Sequence, residues 1–343
     1  MKLLGPSDRS ALWFSSGRQA LFALCSELVK LGLKTAWLPE YHCASMVSPF
    51  VCAGADVRFY AVGDALQPEA DALVSVGSGD AVVVVHYFGR PYDFTEVARL
   101  CLERDAVLVE DAAHADLSFE HVRRTVGKLG RFVLSCPRKF YPIYDGAILT
   151  GDPFVVSQIR QRSPSLREQA KSLVALTKRA KHHAGVIGAV HSGAADRALE
   201  STDSSYIDPR FDVGARTRAT IASKVAWKLM RNGRRKQARR MERFAAIHRA
   251  VTEGSFAKPL YSEVPKEMVP YFYPAILKQA DDFHRLRSFG INALRWENLT
   301  GEPTDRIRRL QPRLVQLPCS DTMAEADFRR LLSLLRDWQS GSE

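Results

Sequence analysis

Long apolar runs are missing from this chain. Its apolar stretches, such as residues 81–85, are far too short to cross a bilayer. A signal-peptide pattern is also missing. Met1-Lys2-Leu3-Leu4 meets Gly5-Pro6-Ser7-Asp8 before an apolar segment can form, so a cytoplasmic location is expected. The six cysteines (25, 43, 52, 101, 136 and 319) show no CxxC pairing. They read as reduced thiols rather than a disulfide framework, and no metal site is expected. Few aromatics interleave with the basic residues, and no zinc-finger, helix-turn-helix or RNP-type motif appears, which argues against nucleic acid as a partner. Internal repeats and low-complexity tracts are absent too.

What is present is an ordinary soluble composition over 343 residues, enough for a sizeable core and two domains. The net charge of +11 points to anionic partners, because the basic residues concentrate between about 155 and 250. A phosphorylated substrate and peripheral contact with an anionic membrane both fit that charge.

Pattern along the chain divides it in two. Residues 10–17 read as a polar lead-in. Helices are expected at 19–32, 45–54 and 95–104, and strands at 35–39, 57–62, 81–86, 106–110, 130–135 and 147–150. The 81–86 and 106–110 segments lack alternation, as strands covered on both faces do. Strand and helix in short repeated units imply a mostly parallel sheet flanked by helices, in the α/β class. Ligands of such sheets gather at the carboxyl ends of the strands, where His86, Asp111 and Ser135 fall. Residues 153–200 read as basic helices. One long helix is expected over 217–252, interrupted near Asn232-Gly233. Beyond it come a strand at 271–277, a helix at 280–289 and a terminal helix at 323–338 with Asp321-Thr322 as its cap. The expected division is a large domain at 1–235, with the basic helical region 153–216, and a smaller C-terminal α/β domain at 236–343.

The chemistry concentrates in residues 109–147. Asp111 ends an apolar strand, a second apolar strand follows, and then comes Lys139. Alone, Asp111 reads as a helix-capping carboxylate and Lys139 as a solvated amine. Together they are the two groups that a pyridoxal 5'-phosphate (PLP) site needs. A lysine forms a Schiff base with the aldehyde, and a carboxylate keeps the pyridine nitrogen protonated so that the ring accepts electrons. Ser15-Ser16-Gly17-Arg18-Gln19 precedes a helix, and a helix amino terminus binds phosphate through free N–H groups. Ser16 also reads as a plain N-cap.

The ordered set Ser16-Gly17, Leu38-Pro39-x-Tyr41, Val85-His86-Tyr87-Phe88-Gly89, Glu110-Asp111-Ala112-Ala113-His114, Gly127-x-x-Gly130 and Lys139 with Asp145-Gly146 resembles the DegT/DnrJ/EryC1/StrS family. Its members are fold-type-I, PLP-dependent sugar aminotransferases. The resemblance covers most of residues 10–152 and returns weakly at Tyr273-Pro274, Gly290-Ile291 and Leu317-Pro318. It implies that Lys139 is the Schiff-base lysine, that Asp111 partners the pyridine nitrogen and that His114 lies near the ring oxygen. Ser16, Gly17, Arg18 and Ser135 match the phosphate-binding positions. The aromatic that stacks on the ring falls near His42-Cys43, which makes His42 or Tyr41 the candidate.

The chain departs from the family's pattern in several places. Arg18 stands where threonine is common, and it could pair with the phosphate or point away. The serine-to-lysine segment is one residue short, and Asp145-Gly146-Ala147 replaces a more glycine-rich loop. The implied reaction takes an amino group from an amino acid donor, usually glutamate, to an anionic, nucleotide-linked keto sugar. It would serve surface polysaccharide or natural-product biosynthesis, and the implied assembly is a homodimer. A PLP-fold protein with another substrate or reaction, and a non-catalytic member, remain as alternatives.

Overall fold

The computed structural model describes residues 8–182, 216–231, 233–265, 267–296 and 299–338. The first half runs β1 (Ser10–Phe14), α1 (Gly17–Lys30), β2 (Thr35–Pro39), α2 (Ala44–Cys52), β3 (Asp56–Tyr60), β4 (Ala81–Val85), α3 (Thr95–Glu103), β5 (Val107–Ala112), α4 (Glu120–Arg123), β6 (Phe132–Ser135) and β7 (Ala147–Gly151). The second half runs α5 (Pro153–Gln158), α6 (Leu166–His182), α7 (Ile221–Met230), α8 (Arg234–Glu253), β8 (Ala257–Pro259), β9 (Phe272–Leu277), α9 (Asp282–Ser288), α10 (Asp305–Leu310), β10 (Leu314–Pro318) and α11 (Glu325–Arg336).

Seven strands form one sheet in the order β1-β7-β6-β5-β4-β2-β3. The β6-β5-β4-β2-β3 pairings are parallel, and only β7 runs against its neighbours. The fold is therefore α/β with a mostly parallel sheet. β4 is valine-rich and buried along its whole length, because helices cover both faces of the sheet. A second, antiparallel sheet, β10-β9-β8, forms in the C-terminal segment. Among the described residues no helix is long and apolar enough to cross a membrane.

Two expectations need correction. Residues 10–14 are not a lead-in but an edge strand that pairs along β7, Ser10 opposite Gly151 and Phe14 opposite Ala147. Of its five residues only Phe14 is buried, as befits a strand at the edge of the sheet. The terminal helix begins at Glu325, and its N-cap is Ala324. Asp321 is engaged elsewhere, in an ion pair with Arg240 at 2.6 Å.

The carboxyl ends of β4, β5 and β6 lie in adjacent rows. Val85 faces Asp111, Asp111 faces Leu134, and Ala112 faces Ser135. Glu110, one residue before Asp111, fixes the loop that leads into β6. Its carboxylate accepts N–H bonds from Gly127 (2.7 Å), Leu129 (2.7 Å) and Gly130 (2.5 Å). From the other side, Arg9 donates to the carbonyls of Gly127 (2.6 Å) and Gly130 (2.8 Å). A Cβ on Gly130 would lie 2.7 Å from the Phe132 carbonyl oxygen, so only glycine fits that close approach. Glu110 also meets His86 Nε2 at 3.0 Å. Tyr92 donates its N–H to His86 Nδ1 (3.3 Å), so Nε2 carries the proton and donates to Glu110.

Burial pushes the Glu110 carboxyl up, but His86 and the loop N–H groups outweigh it and hold it below the usual carboxylate range. A carboxylate held down in this way stabilises the fold above its unfolded pKa, and that contribution is lost as pH falls through the folded value. Glu110→Gln should therefore cost about 3 kcal/mol near neutral pH, the scale of charged hydrogen bonds. The penalty should shrink below about pH 4 as the parent carboxylate protonates. Urea unfolding of both proteins at several pH values measures it.

Candidate functional site

Asp111 is the last residue but one of β5 and is buried. Its Oδ1 accepts the Ala113 N–H at 2.8 Å, and its other oxygen is the acceptor left for a donor above the sheet. Burial raises its pKa above the usual value, while the Lys139 ammonium, the Ala113 N–H and His86 pull against that rise. Lys139 stands on a single 3-10 turn, Pro137–Lys139, directly after β6. Its N–H is anchored on the Cys136 carbonyl (3.0 Å), and its Nζ lies 5.4 Å from the centre of the Tyr271 ring.

His114 is the third member of the group. Burial, helped by the Lys139 charge, depresses its pKa well below the ordinary histidine value, so the ring is neutral. Its Nδ1 accepts the Phe88 N–H (3.3 Å), which leaves Nε2 as the N–H donor. The chain turns sharply at Gly89 (φ 96°), where a Cβ would lie 2.6 Å from the Val269 carbonyl and 2.9 Å from that of His114. Glycine is thus required for β4, His114 and the C-terminal segment to meet.

The phosphate candidates lie at the start of α1 and the end of β6. Ser16 caps α1, its hydroxyl accepting from Gln19 N (3.4 Å). α1 has no acidic residue in its first turn. A Cβ added to Gly17 would stand 3.5 Å from Leu134 and 3.9 Å from Cys136, the residues on either side of Ser135. Those are ordinary contacts, so the fold does not itself demand glycine there. The space is a cradle that a Cβ would fill. Gly146 N donates to the Ser15 carbonyl (3.1 Å), and Ser15 N donates to the Thr217 carbonyl (2.9 Å), which fixes the turn. Arg18 is half-buried beside it.

Asp145, beside that turn, has a structural task. Its carboxylate receives the Thr220 N–H (3.0 Å) and hydroxyl (2.8 Å), and Thr220 in turn bonds Ser172 Oγ (2.7 Å). One buried cluster thereby ties α6 and α7 to the segment that follows Lys139.

His42 does not fit the stacking role. It is wholly buried, with its ring 4.7 Å from that of Phe59 and nearly parallel to it. Nδ1 donates to the Pro39 carbonyl (2.9 Å), and Nε2 accepts the Thr300 hydroxyl (2.7 Å) and N–H (3.1 Å). No face is left for a ligand, and burial pulls its pKa down to about 4. The aromatic wall comes instead from Phe88, Tyr271 and Trp296. The His114 ring lies 4.8 Å from Tyr271 and 5.9 Å from Trp296, and Trp296 stacks on Tyr41 at 4.9 Å. Tyr271 and Trp296 are more than 120 residues away in sequence and carried no local signal beyond Tyr273-Pro274 nearby. Most of the basic helical region 153–216 has side chains outside the described residues.

Parallel-sheet architecture with a buried carboxylate, an adjacent lysine and a neutral histidine over the strand ends defines a fold shared with solved aminotransferases. Helicobacter pylori PseC, an aminotransferase involved in the biosynthesis of pseudoaminic acid, superposes with TM-score 0.67 at 14% identity, covering 95% of this chain and 85% of that one. A DegT DnrJ EryC1 StrS aminotransferase from Brucella abortus gives 0.66 at 12% identity, covering 99% and 92%. S. venezuelae DesV in complex with a ketimine intermediate gives 0.66 at 15%, covering 99% and 91%. The model of the DegT/DnrJ/EryC1/StrS aminotransferase family matches residues 53–187 of this chain. A curated relative, 8-amino-7-oxononanoate synthase of Marinobacter nauticus, is 30% identical over 173 residues, 45% of this chain. The match spans 41% of that relative's length.

Two outcomes follow from the buried groups. Asp111 has a folded pKa above its unfolded one, so its contribution to stability is fully present below the unfolded value and is lost as pH rises through the folded one. Cofactor-free Asp111→Asn should therefore melt at or above the parent's temperature at pH 8, while turnover drops by ~100-fold or more. Parent-like turnover would remove Asp111 from the chemistry. His42 and His114 are held neutral when folded, but the unfolded chain protonates them near pH 6.5. Stability should accordingly fall as pH drops below about 6.5, a trend that urea unfolding at pH 7.5 and 5.5 resolves.

Proposed function

We propose that this chain is a PLP-dependent aminotransferase that moves an amino group from an amino acid, preferably glutamate, to a nucleotide-linked keto sugar. The observation that carries the reading is the meeting of Asp111, Lys139 and His114 at the carboxyl ends of β5 and β6, each feeling the Lys139 charge or supplying it. The donor set fits the cofactor. Asp111 Oδ2 is an acceptor for a protonated ring nitrogen, and His114 Nε2 is a donor for a ring oxygen. Ser16, Gly17 and Ser135 offer a hydroxyl-and-N–H cradle for the phosphate, with Arg18 beside it. Lys139 Nζ is the amine that would hold the aldehyde. When bound, PLP supplies an electron sink for charge developing at the carbon beside the amine.

The chain's own residues do the rest. Lys139 Nζ would take and return the proton as general base and acid. The Lys139 cation against Asp111 offsets part of the burial cost that raises the pKa of its carboxyl. Phe88, Tyr271 and Trp296 exclude water around that proton transfer, and a lower local dielectric strengthens each charge interaction. The chain's positive charge suits a nucleotide-linked acceptor. The same reading makes the protein a cytoplasmic homodimer serving surface polysaccharide or natural-product biosynthesis.

Purified protein incubated with PLP should absorb in the visible, and glutamate should bleach that band. Lys139→Ala should lose the band, the borohydride-trappable adduct and all turnover. A trappable adduct that persisted unchanged in the variant would place the covalent bond on another lysine.

A further inference from the structure

A cavity of about 430 Å3 lies between α4 and the start of α8, apart from every residue assigned above to the cofactor. That volume is in the range of small-ligand pockets. Arg123, Arg124, His121, Arg234 and Gln237 line it, with Glu120 the only acid among its lining residues. Glu120 is already paired with Arg124 at 3.0 Å. Among the described residues, neither Arg123 nor Arg234 forms an ion pair, although the Arg123 charge helps hold the Glu120 carboxyl down. Arg123 is nonetheless fixed, since its Nη1 donates to the carbonyls of Leu117 (2.7 Å) and Ser118 (2.9 Å). A guanidinium has five N–H donors, so the others remain for a ligand. His121 Nε2 meets the Gln237 amide at 2.8 Å. With Gln237 as donor, His121 Nδ1 carries the proton.

The helix that brings Arg234 adds to this field. α8 spans 20 residues, its N-cap is Gly233 without a side-chain bond, and its first turn has no acid. Arg234, Arg235 and Lys236 occupy that turn instead. Cations at a helix amino terminus oppose the macrodipole, and an anion there reconciles the two. Lys236 already has the Asp116 carboxylate at 3.8 Å. Arg234, on the cavity wall, has no such neighbour.

We propose that this cavity is a binding site for a small phosphate-bearing ligand, with the phosphate held between Arg123 and Arg234. Two chain segments more than 100 residues apart supply the cations, so occupancy would also clamp α8 against the α4 loop. The inference goes beyond the proposed reaction and does not use it. The phosphate could belong to a free metabolite or to a nucleotide-linked ligand, and the recognising chemistry is the same.

The test is calorimetric titration of the full chain, first saturated with PLP so that any other phosphate seat is filled. Inorganic pyrophosphate, uridine diphosphate and uridine are the probes. Saturable binding of both phosphate probes, weakening as salt rises, is expected, with none for uridine. Arg123→Gln and Arg234→Gln should each weaken it by ~10-fold or more, because each removes a charged hydrogen-bonding partner. Lys258→Gln, an exposed cation in the second sheet, should leave it unchanged. Tighter binding of uridine diphosphate than of pyrophosphate supports a nucleotide-linked ligand, and equal binding supports a free phosphate. Arg234→Gln alters an exposed helix start, so it remains informative even where loss of Arg123 disturbs the α4 loop. Equal affinity in parent and Arg234→Gln, or no saturable binding of pyrophosphate, overturns the proposal.

Discussion

Two neighbouring carboxylates at the end of β5 carry the organisation of the candidate site. Consecutive strand residues point to opposite faces. Glu110 therefore turns toward the 127–130 loop and His86, while Asp111 turns toward Lys139 and His114. The first is matched to N–H donors so completely that its charge is held in place despite burial. The second has one N–H donor and a nearby ammonium, and stays raised. The same strand end thus holds one carboxylate for architecture and one with unspent hydrogen-bonding capacity. The loop that Glu110 grips leads straight into β6, and β6 delivers Ser135 and the Lys139 turn.

α8 links this arrangement to the C-terminal segment. Lys236 donates to the Phe140 carbonyl (2.6 Å), one residue beyond Lys139, and lies 3.3 Å from the centre of the Tyr141 ring. Burial pulls its ammonium down to about 8, with Asp116 offsetting part of that effect. One helical turn on, Arg240 donates to the Pro270 carbonyl (2.9 Å) and pairs with Asp321. Arg243 then bonds the carbonyls of Ser320 and Met323. Three cations on one helix face therefore connect the lysine turn, the segment before β9 that carries Tyr271, and the approach to α11. Removing any one would leave buried polar partners unmet, which costs more than the bond itself contributed.

Legibility in the sequence followed the physics of burial. β2 and β4 were readable because their residues are apolar on both faces, and the break in the long helix was readable from Asn232-Gly233. β1, β8 and β10 were not. β1 and β8 are edge strands, and β8 has three residues. Asp111, His114 and Lys139 lie near one another because a strand end, its neighbour and the next strand end are close in sequence. His42 was misjudged because residue type says nothing of what already covers a ring. Tyr271 and Trp296 reach the site only through packing of the C-terminal segment, and no local pattern encodes that. Asp321 looked like a cap, but Arg240, some 80 residues upstream, is a better partner for a half-buried carboxylate.

The bonds between Asp145 and Thr220 bear on how the chain between them can change. They close a loop of roughly 75 residues with both ends pinned in buried hydrogen bonds. The entropy lost on closing such a loop grows only as the logarithm of its length, so doubling it costs about 0.6 kcal/mol. A change in chain length there is cheap only outside β7, α5 and α6, which lie within that stretch, and one so placed need not disturb the lysine turn.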